Sequence, residues 1–107
     1  MEDRRVFARI GARLPVKFLN PENGMEGRAD TFDISANGLG LITAEELSAK
    51  TPLEMWLNIP DQRDPLYTRG EVIWSGPSVE NGERRVGVHL EKAELMGLAR
   101  ILWLKRR

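Results

Sequence analysis

Apolar and polar residues alternate in short runs along most of this chain, and the period changes only near its end. Leu14, Val16 and Phe18 point one way over residues 14–19, as residues two apart do on a strand. Asn20-Pro21-Glu22-Asn23-Gly24 reads as a turn. Residues 29–35 place Phe32 and Ile34 on one face, with Thr31, Asp33 and Ser35 on the other. Asn37-Gly38 is a turn signal, and residues 39–43 continue as a strand. Leu53, Met55, Leu57 and Ile59 then alternate with Glu54, Trp56 and Asn58. Residues 67–74 form a long strand closed by Gly76-Pro77. Glu80-Asn81-Gly82-Glu83 predicts a hairpin turn into Val86, Val88 and Leu90. From Ala93 onward, Leu95, Leu98, Ala99 and Leu102 fit the spacing of an amphipathic helix. Ile101, Trp103 and Leu104 widen its apolar surface, and Lys105-Arg106-Arg107 suit the negative end of its dipole.

Short strands at even spacing, punctuated by turns, predict a mainly β fold. The expectation is a six-stranded antiparallel β-barrel with one C-terminal helix plugging or flanking it. A chain of 107 residues has room for one core. Its parts are an Arg-rich arm (1–12) with Gly11 as a hinge candidate, the barrel (13–91) and the helix (93–105). The arm is expected to be flexible, because its arginines repel each other and bury little.

Composition narrows the chemistry. Lys+Arg and Asp+Glu are both 16, so no overall basic field exists to attract long nucleic acid. The absence of cysteine excludes disulfides, thiolate metal sites and a Cys nucleophile. One histidine, His89, argues against a His-based zinc site; it reads as an outward strand residue. Glu45-Glu46 and the stretch from Asp61 to Asp64 read as solvated loops, and Met55 and Met96 as core filler. No apolar run is long enough to span a membrane, and no leader is evident, so a cytoplasmic protein is expected; with no acid–base pair in sight, it is not expected to be an enzyme.

What stands out is Arg4-Arg5-Val6-Phe7-Ala8-Arg9, three guanidiniums within six residues. Downstream, Asp33 and Ser35 leave one strand face beside a turn whose Gly38 lets a ligand approach the backbone. A carboxylate can accept both N1–H and N2–H of guanine. An arginine fork grips guanine O6 and N7, or a phosphate. A small ligand carrying guanine edges and phosphates would satisfy both segments.

RxxxR at Arg5 and Arg9, followed by DxSxxG at Asp33, Ser35 and Gly38, resembles the signature of the PilZ domain family. Residues 70–74 and 85–90 resemble that family's closing strands. The resemblance covers essentially the whole chain. It implies a bacterial receptor for cyclic di-GMP with no other cofactor. Arg5 and Arg9 would hold phosphates and guanine edges, Asp33 and Ser35 would bond one guanine, and Gly38 would allow close approach. Arg4 lies beside the motif and could grip a second, stacked dinucleotide. Trp74 shares the strand phase of core residue Val72, yet the resemblance implies a ligand-side role in stacking on a purine. Trp56 falls on the outer face, as a stacking residue or a partner contact.

Binding would order the arm and relay the signal to an effector protein or a second copy, for which Trp103 and Leu104 leave room. Alternative readings are a PilZ-like adaptor that binds protein without nucleotide, and a small barrel for single-stranded nucleic acid. The complete signature counts against the first; neutral charge and few aromatics count against the second, so no DNA or RNA partner is expected.

Overall fold

The computed structural model describes residues 9–78, 81–92 and 95–105. Seven strands and one helix follow in order: β1 (Ile10–Gly11), β2 (Pro15–Leu19), β3 (Glu26–Ser35), β4 (Gly38–Thr43), β5 (Pro52–Leu57), β6 (Leu66–Ser78), β7 (Arg84–Leu90) and α1 (Leu95–Lys105). Pairing runs β3-β2-β5-β6-β7-β4, and β4 pairs back to β3, so six antiparallel strands close on themselves. Closure leaves these strands no free edge.

The seventh strand belongs to the segment expected to be a loose arm. Ile10 and Gly11 of β1 pair with Ile34 and Asp33 of β3, beyond the point where β2 leaves that strand. Thr31 fixes the junction from inside. Its buried hydroxyl donates to the Ala12 carbonyl at 2.6 Å and accepts from the Leu14 amide at 2.9 Å. The strand stretch of the arm therefore begins at Ile10, and Gly11, the hinge candidate, is a paired strand residue.

The interior follows the alternation. Leu14, Val16, Phe18, Ile34, Leu53, Met55, Leu57, Ile59, Val72, Val86, Val88 and Leu90 are all buried. Each such side chain contributes roughly 1.5–3 kcal/mol on leaving water. Turn chemistry sets the strand ends. Gly24 and Gly82 take positive φ, 76° and 81°, where a glycine has no steric penalty. β6 does not stop at Gly76-Pro77, as the sequence pattern had it, but continues to Ser78.

The register shifts at three places, once in β3 and twice in β6, and two of these bear on the outer face. In β3, Thr31 faces Leu41 while Asp33 faces Gly40, leaving Phe32 as an extra residue. In β6, Val72 faces Val88 while Trp74 faces Gly87, leaving Ile73 extra. A bulge of this kind moves every later side chain to the opposite face. Ahead of the β3 bulge the inward phase runs through Ala29 and Thr31, so Thr31, expected outside, is fully buried, while the extra residue Phe32, expected in the core, is half-buried on the outside.

The helix lies across one barrel end, where Gly97 and Ile101 meet Ile34, Leu57, Leu66 and Leu90. Its buried stripe is Gly97 and Ile101 with Leu104 packed beside them; Ala99 and Leu102, expected inward, are exposed. The side chains of Leu95, Met96 and Leu98 lie outside the described residues. An ion pair fixes the helix that the sequence pattern left unnoticed. Arg100 Nε and Nη2 donate to the two oxygens of Asp61 at 2.7 and 2.8 Å. Asp61, expected in a solvated loop, is thus largely shielded, and Arg100 lowers its carboxyl to about 2 from an ordinary 3.8, with burial opposing.

Candidate functional site

The expected ligand residues are brought together by strand register. Asp33 of β3 stands opposite Gly40 of β4, Gly40 opposite Gly87 of β7, and Gly87 opposite Trp74 of β6. One straight row across the outer face thus runs carboxylate, glycine, glycine, indole. The neighbouring row begins Ser35, Gly38, His89.

The two glycines form a floor that larger residues would fill. A Cβ on Gly87 would strike the Trp74 indole; one on Gly40 would strike Asp33 Oδ1 and the Phe32 ring. The rings therefore lie directly on backbone, outside the core. The β6 bulge explains the position of Trp74, which by simple alternation would point inward. It is 44% exposed.

Arg9 reaches this face from the residue preceding β1. Its Nη1 donates to Asp33 Oδ1 at 2.8 Å, and the side chains are 53% and 25% exposed. Its Nη2 and the Ser35 hydroxyl both lie near the open side of Gly38, 3.7 Å from where a Cβ would stand. Ser35 is only 3% exposed. Its hydroxyl is directed into the β3–β4 turn, 3.0 Å from Asn37 Oδ1. Arg9, Asp33, Ser35 and Gly38 form one cluster; Trp74 lies along the row from Asp33. Arg4 and Arg5 lie outside the described residues.

Two residues beside the cluster went unnoticed in the sequence. Phe32 sits against Gly40, and the Arg85 guanidinium stands 4.8 Å above its ring centroid. Neither has a sequence signature, since Phe32 reads as core and Arg85 as an ordinary outward cation.

The other aromatic candidates are elsewhere. Trp56 and Tyr67 face each other across β5 and β6 with ring centroids 5.3 Å apart. The Tyr67 hydroxyl donates to Glu54 at 2.6 Å, and that bond raises the Tyr67 pKa. His89 is exposed on β7, as expected. No cluster of metal-ligating side chains occurs among the described residues, and no helix there is long and apolar enough to cross a membrane.

A carboxylate next to a guanidinium, above a glycine floor and beside an exposed indole, can bond and stack a polar heteroaromatic ring. The PilZ domain model matches residues 3–103. The chain belongs to the PilZ family. Solved structures agree on the fold of this PilZ domain. The Bacillus subtilis inhibitor of motility MotI/DgrA superposes with a TM-score of 0.68 at 22% identity, covering 99% of this chain and 55% of that one. The Escherichia coli YcgR PilZ domain, solved with c-di-GMP, gives 0.63 at 14% identity, covering 83% and 79%. The K. pneumonia MrkH–c-di-GMP complex gives 0.66 at 16% identity, covering 97% and 52%. The PilZ domain thus spans about half the length of MotI/DgrA and of MrkH. No curated protein sequence matches it.

Proposed function

We propose that this PilZ domain is a cyclic di-GMP receptor whose ligand is held by Arg9, Asp33, Ser35, Gly38 and Trp74, with Arg4 and Arg5 joining from the arm. The observation that carries the reading is the Arg9–Asp33 contact, which joins the two motifs across 24 residues of sequence. Solved complexes of YcgR and MrkH with c-di-GMP support the ligand's identity.

In this reading, Arg9 satisfies Asp33 until ligand arrives. Guanine N1–H and N2–H then take over the carboxylate, and the released guanidinium grips a phosphate or the guanine O6 and N7 edge. The exchange is inexpensive, because an exposed ion pair contributes only about 0–1 kcal/mol. The bond to guanine forms where Gly38 and Gly40 keep the floor low, and Trp74 offers a face for a purine. Binding orders the arm and shifts the population toward a docked state that an effector protein, or another copy, reads. Arg4 would favour a second, stacked ligand. No part of this involves catalysis, and the expected setting is the cytoplasm.

The test is a calorimetric titration with cyclic di-GMP, using GTP as control. Saturable binding with no comparable response to GTP supports the receptor; no heat and no displacement by any cyclic dinucleotide overturns it. Stoichiometry settles Arg4: two ligands per wild-type chain and one for Arg4→Ala are expected.

A protein-binding adaptor without nucleotide is the second reading. It is favoured by the exposed Leu102 and Trp103, the latter 64% exposed, on a helix that presents them to solvent. The likeness to an inhibitor of motility fits it as well. A silent titration would make this the leading account.

A further inference from the structure

Several arginines of this surface meet a carboxylate, and Arg85 is held in another way. Arg69 pairs with Glu91, Arg84 with Glu46 and Arg100 with Asp61. Arg85 makes no ion pair with a carboxylate among the described residues. Instead its guanidinium is held on an aromatic face, 4.8 Å from the centroid of Phe32. That face is available only because the β3 bulge turns Phe32 outward and Gly40 leaves room beneath it.

The location ties this cation to the cluster. Phe32 and Asp33 are consecutive, and both the Phe32 ring and Asp33 Oδ1 lie against the same Gly40. Arg85 stands two residues before Gly87, on the same outer face of β7, and Gly87 carries the Trp74 indole. A guanidinium stacked on a ring keeps its in-plane N–H donors free and offers its far face to another ring. Asp33 supplies only acceptors; Trp74 supplies a stacking surface and one donor. Arg9 offers donors beside Gly38, and Arg85 offers a second set to an acceptor edge that reaches the Phe32 side of the floor.

We infer that Arg85, positioned by Phe32, is a further ligand-contacting residue of this site and takes an acceptor edge of the bound dinucleotide, either guanine O6 and N7 or a phosphate oxygen. This rests on the cyclic di-GMP reading above. Phe32 acts through Arg85, as a positioning residue.

The experiment titrates the full chain with cyclic di-GMP in four forms: wild type, Arg85→Ala, Phe32→Leu and the double variant, each at low and high salt. Loss of one charge-assisted hydrogen bond predicts about tenfold weaker binding for Arg85→Ala, with the melting temperature retained because the side chain is exposed. Phe32→Leu should weaken binding less, and the double variant should be no weaker than Arg85→Ala alone. A loss that shrinks with added salt identifies the phosphate as the acceptor; a loss independent of salt identifies the guanine edge. Wild-type binding with Arg85→Ala indistinguishable from it overturns the inference and leaves the receptor reading intact. Absence of wild-type binding overturns both.

Discussion

Arg9 and Asp33, 24 positions apart, share a 2.8 Å hydrogen bond on the outer face of the barrel. The pair is too exposed to matter much for folding, so its loss should separate binding from stability. In the proposed receptor, Asp33→Ala removes both acceptors for guanine N1–H and N2–H. Two charge-assisted bonds at ~1.5 kcal/mol each correspond to a hundredfold or greater loss of cyclic di-GMP affinity. The melting temperature should move by no more than an exposed ion pair allows. Calorimetry and thermal denaturation of the same preparation check both halves; wild-type affinity in the variant would remove Asp33 from the site.

Gly87 tests the floor. In Gly87→Ala the new methyl occupies the place of the Trp74 indole, which must swing away into solvent. Overpacking against a movable surface ring costs about 1 kcal/mol, the low end for such changes. Tryptophan emission should shift to the red and ligand affinity should fall. Unchanged emission would mean that the ring does not rest there.

Thr31→Val keeps the shape of a buried side chain and deletes its hydroxyl. The Leu14 amide and Ala12 carbonyl both lose their partner. Leaving such groups unsatisfied costs about 1–3 kcal/mol each, so chemical denaturation should show a clear loss of stability. A neutral result would mean that water replaces the hydroxyl.

The Asp61–Arg100 pair should give stability a signature in acid. The Asp61 carboxyl titrates at about 2 in the fold, against an ordinary 3.8. Because the folded value is the lower one, the pair's contribution is complete above about pH 4 and is lost as pH falls through about 2. Arg100→Gln should therefore melt below wild type at neutral pH, and the gap should close between pH 4 and pH 2. A gap that persists at pH 2 would assign it to packing of the helix instead.

Strand positions and most of the core are legible in the sequence, because alternation reports burial directly wherever a strand keeps its phase. A bulge leaves no mark in composition. Thr31 lies inside and Phe32 outside, and Trp74 departs from the phase of Val72, because an extra residue, Phe32 in β3 and Ile73 in β6, breaks the alternation there. The helix misled for a different reason: with apolar residues on most sides, its periodicity cannot select the stripe containing Ile101. Asp61 and Arg100 are 39 residues apart, and nothing local to either announces the other. Arg9, Asp33, Ser35 and Gly38 are legible because they match a motif; their proximity is a property of the fold alone.

The two bulges end the same row of residues, one beside Asp33 and one beside Trp74, while β4 and β7 between them stay in step. A single inserted residue in each of two strands is thus enough to set a phenyl ring and an indole outside a barrel whose interior stays filled. By this route a surface could evolve toward or away from a ligand through one-residue insertions and deletions, with little disturbance to the hydrophobic centre.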